Sequence, residues 1–528
     1  MDLGSDTVTV FRTATRTLIM GGLLAGLNGG LAAPASAQKS KDTVRIAIDA
    51  PIQGVSYYLD SQSETVFQSE AIFDNLINFN EKSLRFEPLL AKSWKEIDDK
   101  TVELDLRDDV KWHDGEKFDA DDVVHTLTWI SDPKVQLRFK GNWDWIDKAE
   151  KISPYKVRVT SKEPTPYRLT RFAYLTSIEA EHAHGKAEDK VAYSAGKPVG
   201  TSMYKVVEID RNKGIFLEKN PDYKHGGAGK PASNIGRMQL LFLPDAGTRT
   251  AQLLVKGIEM ARAPSLSNAE DLAKTPGVEI AMGQGVALMY MAIDAKGRTG
   301  NKPLTDVRVR WALMMAVNRD DIHKYLTGGR DIKSPNAMCW DFQVGCAYTK
   351  KPYPYDPAGA KKLLAEAGYA DGFELEITTF QRDPSNSVAQ IVANQLRAIG
   401  VKTSVAGFPT STYGKRQADG KIQMMVASWT GGGNSDIQGT TGFIFDVPPS
   451  RDYSGDAELN TLAAKTLTIM DPEQRKAATR QMFDRSMDMA YFTSLGPSPG
   501  LYVHASELTV DAGAYSAYGV NPQGIRWK

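Results

Sequence analysis

The sequence predicts an α/β fold. Helical and strand periodicities alternate from Tyr353 to Phe443, and the breaks between them fall on capping residues, glycines and Asp-Gly turns. In YPYDPAGAKKLLAEAGYADGFELEITTF, Asp356 is placed to cap a helix and Pro357 stands at its first position, where a missing N–H costs nothing. Leu363, Leu364 and Ala367 share one face, and Gly368 ends the helix. Asp371-Gly372 turns into a strand in which Phe373, Leu375 and Ile377 alternate with polar neighbours. A second helix is expected from about Ser387, with Val388, Ile391, Val392, Leu396 and Ile399 on its buried stripe and Gly400 at its end. VKTSVAGF follows as a strand. KIQMMVASWTGGGNSD is a further strand that delivers Trp429, Thr430 and a Gly-rich loop to its carboxyl end, the usual ligand position in such sheets.

The rest of the chain continues the pattern. TVRIAID (Thr43 to Asp49) alternates as a strand, and FQSEAIFDNLINF reads as a helix. Val102, Leu104 and Leu106 form an alternating strand. His113-Asp114-Gly115 makes a turn, with His113 a turn residue rather than a ligand. Asp119 caps a helix, with Phe118 and Val123 as a hydrophobic staple and Asp122 near its positive end. In PLTDVRVRWALMMAVNRDDI the residues Val309, Ala312, Leu313, Ala316 and Val317 form a buried face, and Thr305 is the expected cap.

Composition narrows the function classes. The 528 residues include 64 basic and 64 acidic side chains, so no basic footprint for nucleic acid is present. Arg12 and Arg16 precede the short apolar run TLIMGGLLAGLNGGLAA, and Pro34-Ala35-Ser36-Ala37 has the small-x-small form of a signal-peptidase site. Cleavage after Ala37 and export are expected, most simply to a periplasm; an uncleaved anchor is the alternative. No other stretch offers the ~20 apolar residues that span a bilayer. Cys339 and Cys346 are the only cysteines. In an oxidising compartment they are expected to pair, with a two-ligand metal site or free thiols as alternatives.

Several runs carry a resemblance. YDPAGAKKLLAEAGYADGFELEIT, NQLRAIGVKTSV and SWTGGG are similar to the C-terminal lobe of the peptide-type (family 5) extracytoplasmic solute-binding proteins of ABC importers, the dipeptide, oligopeptide and nickel group. Leu59-Asp60, Phe73-Asp74-Asn75-Leu76, the segment FEPLLAKSW…KWHDGEKFDADDVVHTLTWI and VGTSMYKVVEIDRNKGIFLEKNPDYK match other parts of that pattern, with Ser202 and Met203 where Gly-Pro is usual. The resemblance implies a two-lobed α/β periplasmic binding protein (Venus-flytrap) fold with an extra subdomain. The expected division is 1–37 leader, 38–290 first lobe with an insertion at about 80–195, 291–490 second lobe, and 491–528 returning to the first.

The resemblance also implies the site. Gln381-Arg382 occupies the place where an arginine meets a ligand carboxylate, which suits a guanidinium fork; a solvated loop charge is the alternative. Trp429 walls the cleft or packs in the core. Thr430, Gly431, Gly432 and Asn434 belong to the adjoining loop, and Gln53, Ser56 and Tyr57 to the loop after the first strand. Dipeptide binders carry an acid where this chain has Gly432, and the nearest acid is Asp436. A buried ammonium without a carboxylate is costly. Either Asp436 reaches the ligand, or the ligand lacks a free α-ammonium, as in opines and other N-substituted amino acids. The partners implied are a small polar solute and a membrane permease, with a monomeric carrier and no cofactor, metal or nucleic acid.

Enzyme signals are weaker. Gly496-Pro497-Ser498-Pro499-Gly500 fits G-x-S-x-G, but Pro499 has no N–H to donate to an oxyanion. Thr430 to Asn434 lacks the Gly-Lys-Ser/Thr of a phosphate loop. His182 and His184 are spaced so that no one helical face holds both. An exported hydrolase and a sensory or chaperone-like binder are the alternatives of other classes.

Overall fold

Thr43–Ile48 sits in the middle of a seven-stranded sheet, flanked in parallel by Arg237–Phe242 and Met260–Arg262. Val44, Ile46 and Ile48 enter one apolar cluster and Ala47 another, so this strand is buried on both faces. Beyond Arg237–Phe242 lies the hairpin Tyr204–Asp210 and Gly214–Lys219; on the other side are Gly500–Ala505 and Val278–Gly283. The protein is seen in a computed structural model that describes residues 42–60, 62–430, 435–444, 452–513 and 518–528. The expected leader and its cleavage site lie outside these residues.

A second, five-stranded sheet runs in the order Lys402–Phe408, Glu374–Phe380, Met424–Trp429, Leu288–Ile293 and Phe492–Pro497. Every residue of Leu288–Ile293 is buried, as befits a strand covered by helices on both sides. The elements around it form as their sequences dictate. Pro357–Glu366 is a helix in which Asp356 accepts from the Gly359 N–H, and Gly368 follows at φ +91°. Ser385–Ala398 is the second helix, with Val388, Val392 and Leu396 fully buried. In Val307–Met315 the expected face is buried, but the cap is Asp306, whose side chain accepts from Arg308 N–H, while Thr305 closes a preceding 3-10 turn. The charged Asp carboxylate accepts more strongly there than a Thr hydroxyl would.

A third, four-stranded sheet (Ala91–Glu96, Thr101–Leu106, Lys156–Ser161, Ile146–Ser153) packs its apolar face on the helix Ala120–Ser131. That helix carries a full capping box between Asp119 and Asp122. One expectation fails upstream. The helix ends at Ile72, and Ile77–Asn80 is a strand paired with Arg85–Pro88. Ile77 and Phe79 alternate with Asn78 and Asn80, a strand period too short to stand out after the helix.

The chain passes between the first and second sheets at two places. One lies between Gly283 and Leu288, the other between Pro497 and Gly500. They touch: the Ser498 N–H donates to the Ala287 carbonyl at 3.0 Å. The indole of Trp340 adds a hydrogen bond to the Val286 carbonyl at 2.9 Å. The G-x-S-x-G run is therefore a crossover between sheets rather than a strand-to-helix elbow.

Candidate functional site

The carboxyl end of Met424–Trp429 brings Trp429 and Thr430 to a half-buried position against the second core. Gly431, Gly432 and Asn434 lie outside the described residues. Ser435 lies against the loop that the disulfide Cys339–Cys346 closes. Inside its loop, the Val344 N–H donates to Ser435 O at 2.6 Å and Val344 O accepts from Ile437 N–H at 3.1 Å. The loop thereby clamps the exit of the Gly-rich segment.

Asp436 is fully buried, and its two oxygens meet Arg475 Nη2 and Nη1 at 2.6 and 2.7 Å. Its Oδ1 also accepts from the Gln438 N–H at 2.7 Å. Of the two expected alternatives, Asp436 reaching the ligand or a ligand without a free α-ammonium, this pairing speaks for the second. The carboxylate already has a guanidinium and a helix start as partners, and the aspartate faces inward.

The loop after the first strand divides. Gln53 is exposed. Ser56 is buried, its N–H donating to Ser194 Oγ at 2.8 Å and its hydroxyl to Glu179 Oε1 at 3.4 Å. Tyr57 is buried edge-on to Trp143, and burial, partly offset by the charge of Arg171, raises its phenol to about 12. Glu179 itself is 1% exposed; burial, opposed by Ser56 and Lys190, pushes its carboxyl up to about 8. Sequence reasoning did not single out Glu179.

Arg382 is exposed just beyond the strand Glu374–Phe380. Water reaches its side chain, yet the surrounding protein atoms and then the charge of Arg262 pull its pKa below the usual arginine value, with Glu64 and Asp49 acting against them. Those three groups belong to the first-sheet side: Arg262 ends a strand of it, and Glu64 lies 4.0 Å from the Arg262 guanidinium. Two guanidiniums, one from each large sheet, thus lie within electrostatic reach of each other. The sequence had offered only Arg382.

Arg171 was missed altogether. It is 3% exposed and donates to Gln438 Oε1, joining the third-sheet side of the molecule to the second. A cavity of about 730 Å³ opens nearby, lined from both sides by residues such as Glu70, Asn75, Lys333, Trp340 and Asp511, with Gln284 of the crossover at its edge. Among the described residues, none of the expected site residues lines it; Ala173 and Tyr174, just after Arg171, do.

The histidines are structural. His113 accepts from Gly200 N–H at Nδ1 and faces the Ser202 carbonyl through Nε2 at 2.9 Å, and burial lowers its pKa to about 4. His182 pairs with Asp114 and His184 with His125, so the two point apart. Among the described residues no group of three or more His, Cys, Asp or Glu is arranged to hold a metal ion. No helix among them is long and apolar enough to cross a membrane.

Two α/β lobes joined by a paired crossover and facing each other over a polar cleft are the architecture of a binding protein. Residues 85–446, more than half of the chain, match the family described as bacterial extracellular solute-binding proteins, family 5. The chain belongs to this family. It is 26% identical over 410 residues to heme-binding protein A of Haemophilus influenzae, covering 72% of this chain and 71% of that one. It is 27% identical over 418 residues to the glutathione-binding protein GsiB of Salmonella paratyphi A, covering 77% and 78%. The fold matches the binding protein AgaA of A. tumefaciens, solved with agropinic acid, at a TM-score of 0.73 and 21% identity, over 92% of this chain and 99% of that one. These relatives are binding proteins rather than enzymes.

Proposed function

We propose that this family 5 protein is exported to the periplasm, captures a small polar, peptide-like solute by closing its lobes, and presents the closed form to the permease of an ABC importer. The observation that carries the reading is the cleft itself. Arg262 and Arg382 approach from opposite lobes, and like charges at a closing interface favour a ligand that brings negative charge between them. The cargoes named for the three relatives all bear carboxylates: heme through its propionates, glutathione and agropinic acid through their acid groups.

Asp436 is consumed by Arg475, and this favours a second reading of the substrate. With that acid unavailable to an α-ammonium, an opine or other N-substituted amino acid fits the site better than a simple dipeptide. Thermal unfolding of the mature protein against dipeptides, glutathione and opines tests both readings. A solute at 100 times its Kd raises stability by about 2.7 kcal/mol. Stabilisation that Arg382→Gln reduces supports the cleft. Stabilisation by opines and not by dipeptides supports the second reading. Turnover of a panel compound would replace the carrier with an enzyme.

A further inference from the structure

A buried charge needs a partner, and most of the deeply buried cations here have one. Arg475 holds Asp436, and Lys230 holds Asp74 at 2.6 Å. Arg310 donates to the carbonyls of Met489, Leu304 and Thr305, and Arg168 to Glu96 and the carbonyls of Asp98 and Asp99. Arg171 differs. It is equally buried, its hydrogen-bond partner is the neutral Gln438 amide, and its Nε has none. Of the groups whose charge acts on it, Tyr57 and Tyr167 are phenols and Asp436 has both oxygens on Arg475. Tyr167 adds a ring face 5.8 Å from the guanidinium carbon, which is no substitute for an anion.

Its position matters as much as its lack of a counter-ion. Arg171 lies in the short helix Arg168–Ala173, and Gln438 opens the helix Gln438–Ile444 of the opposite lobe. Their contact therefore spans the two lobes. The cavity between the lobes begins two residues further on, at Ala173. A fold that holds a guanidinium dry without a carboxylate is destabilised by it. A solute that supplies the carboxylate removes that cost only in the closed state, which is where a carrier needs its binding energy.

We propose that Arg171 is the principal anion-binding residue of the solute site, and that the solute carries a carboxylate which replaces Gln438 as its partner between the lobes. This rests on the carrier reading above and narrows it.

The test compares wild type, Arg171→Met and Arg171→Lys by thermal unfolding, without ligand, with inorganic phosphate against chloride at equal ionic strength, and with glutathione. The expected result has three parts. Arg171→Met melts above wild type without ligand, because an uncompensated charge is gone. Phosphate stabilises wild type beyond the chloride control and leaves Arg171→Met unmoved. Glutathione binds Arg171→Met at least about tenfold more weakly by calorimetry, with Arg171→Lys between the two. A lower midpoint for Arg171→Met with undiminished glutathione affinity would make the residue structural and overturn the proposal. So would a wild type indifferent to phosphate. Solutes that stabilise wild type and Arg171→Met alike would leave the carrier standing without this anchor. An Arg171-dependent phosphate response with no response to any organic solute would instead keep the anion site and remove the peptide-like substrate class.

Discussion

Asp436 and Arg475 form a two-armed ion pair across 39 residues of sequence, both oxygens on both terminal nitrogens, in a fully dry setting. Arg475 is held in turn by the Thr466 carbonyl at 2.7 Å. Removing one partner of such a pair strands the other, at a typical cost of about 3–5 kcal/mol. Asp436→Asn is therefore expected to lower the urea midpoint sharply at constant m-value. Intact stability with weakened solute binding would return Asp436 to the ligand.

Glu179 gives a pH dependence. Burial raises its folded pKa to about 8, above the unfolded value near 4.5, so the native state holds a proton that the unfolded chain has released. Its contribution to stability is fully present below about pH 4.5 and is lost as pH rises toward 8. Between pH 5 and 7.5 wild type should lose on the order of 3 kcal/mol from this residue, and Glu179→Gln should not. Parallel pH–stability curves for the two proteins would show that the carboxyl ionises freely.

The disulfide closes a short loop, Cys339 to Cys346. In the chain-entropy account its loss costs about 2–3 kcal/mol. Because Val344 pairs with Ser435 and Ile437, Cys346→Ser should also speed amide exchange at Ile437. A change confined to residues 339–346 would show that the clamp does not depend on the bond.

Ser498 acts through its backbone. Ser498→Ala keeps the N–H that reaches Ala287 O and should change stability by no more than about 0.5 kcal/mol. Hydrolysis of a nitrophenyl ester should be the same for both proteins. Turnover lost with the hydroxyl would restore the hydrolase.

What the sequence revealed was local. The Asp356 cap, the Asp119 cap and the helix stripe through Val388 and Leu396 all depend on residues within one or two turns, and each formed as read. The strand at Ile77–Asn80 misled because its alternation, Ile77 and Phe79 between Asn78 and Asn80, is only four residues long and directly follows a helix. The site was harder. Nothing near Asp436 announces Arg475, and the sheet chooses that partner. Arg171 precedes the apolar run Phe172–Leu175, a faint sign of a cation drawn inward, but its burial comes from the meeting of two lobes. The resemblance pointed to Arg382, and it could not supply the partners that decide which charges are paired within the fold.

Because the two crossovers are hydrogen-bonded neighbours at Ser498 and Ala287, they act as a single seam. A body held along one seam can swing about it but resists sliding and twisting. Opening should then follow one coordinate, so any pair of labels placed far from the seam ought to report the same populations, whichever surface carries them.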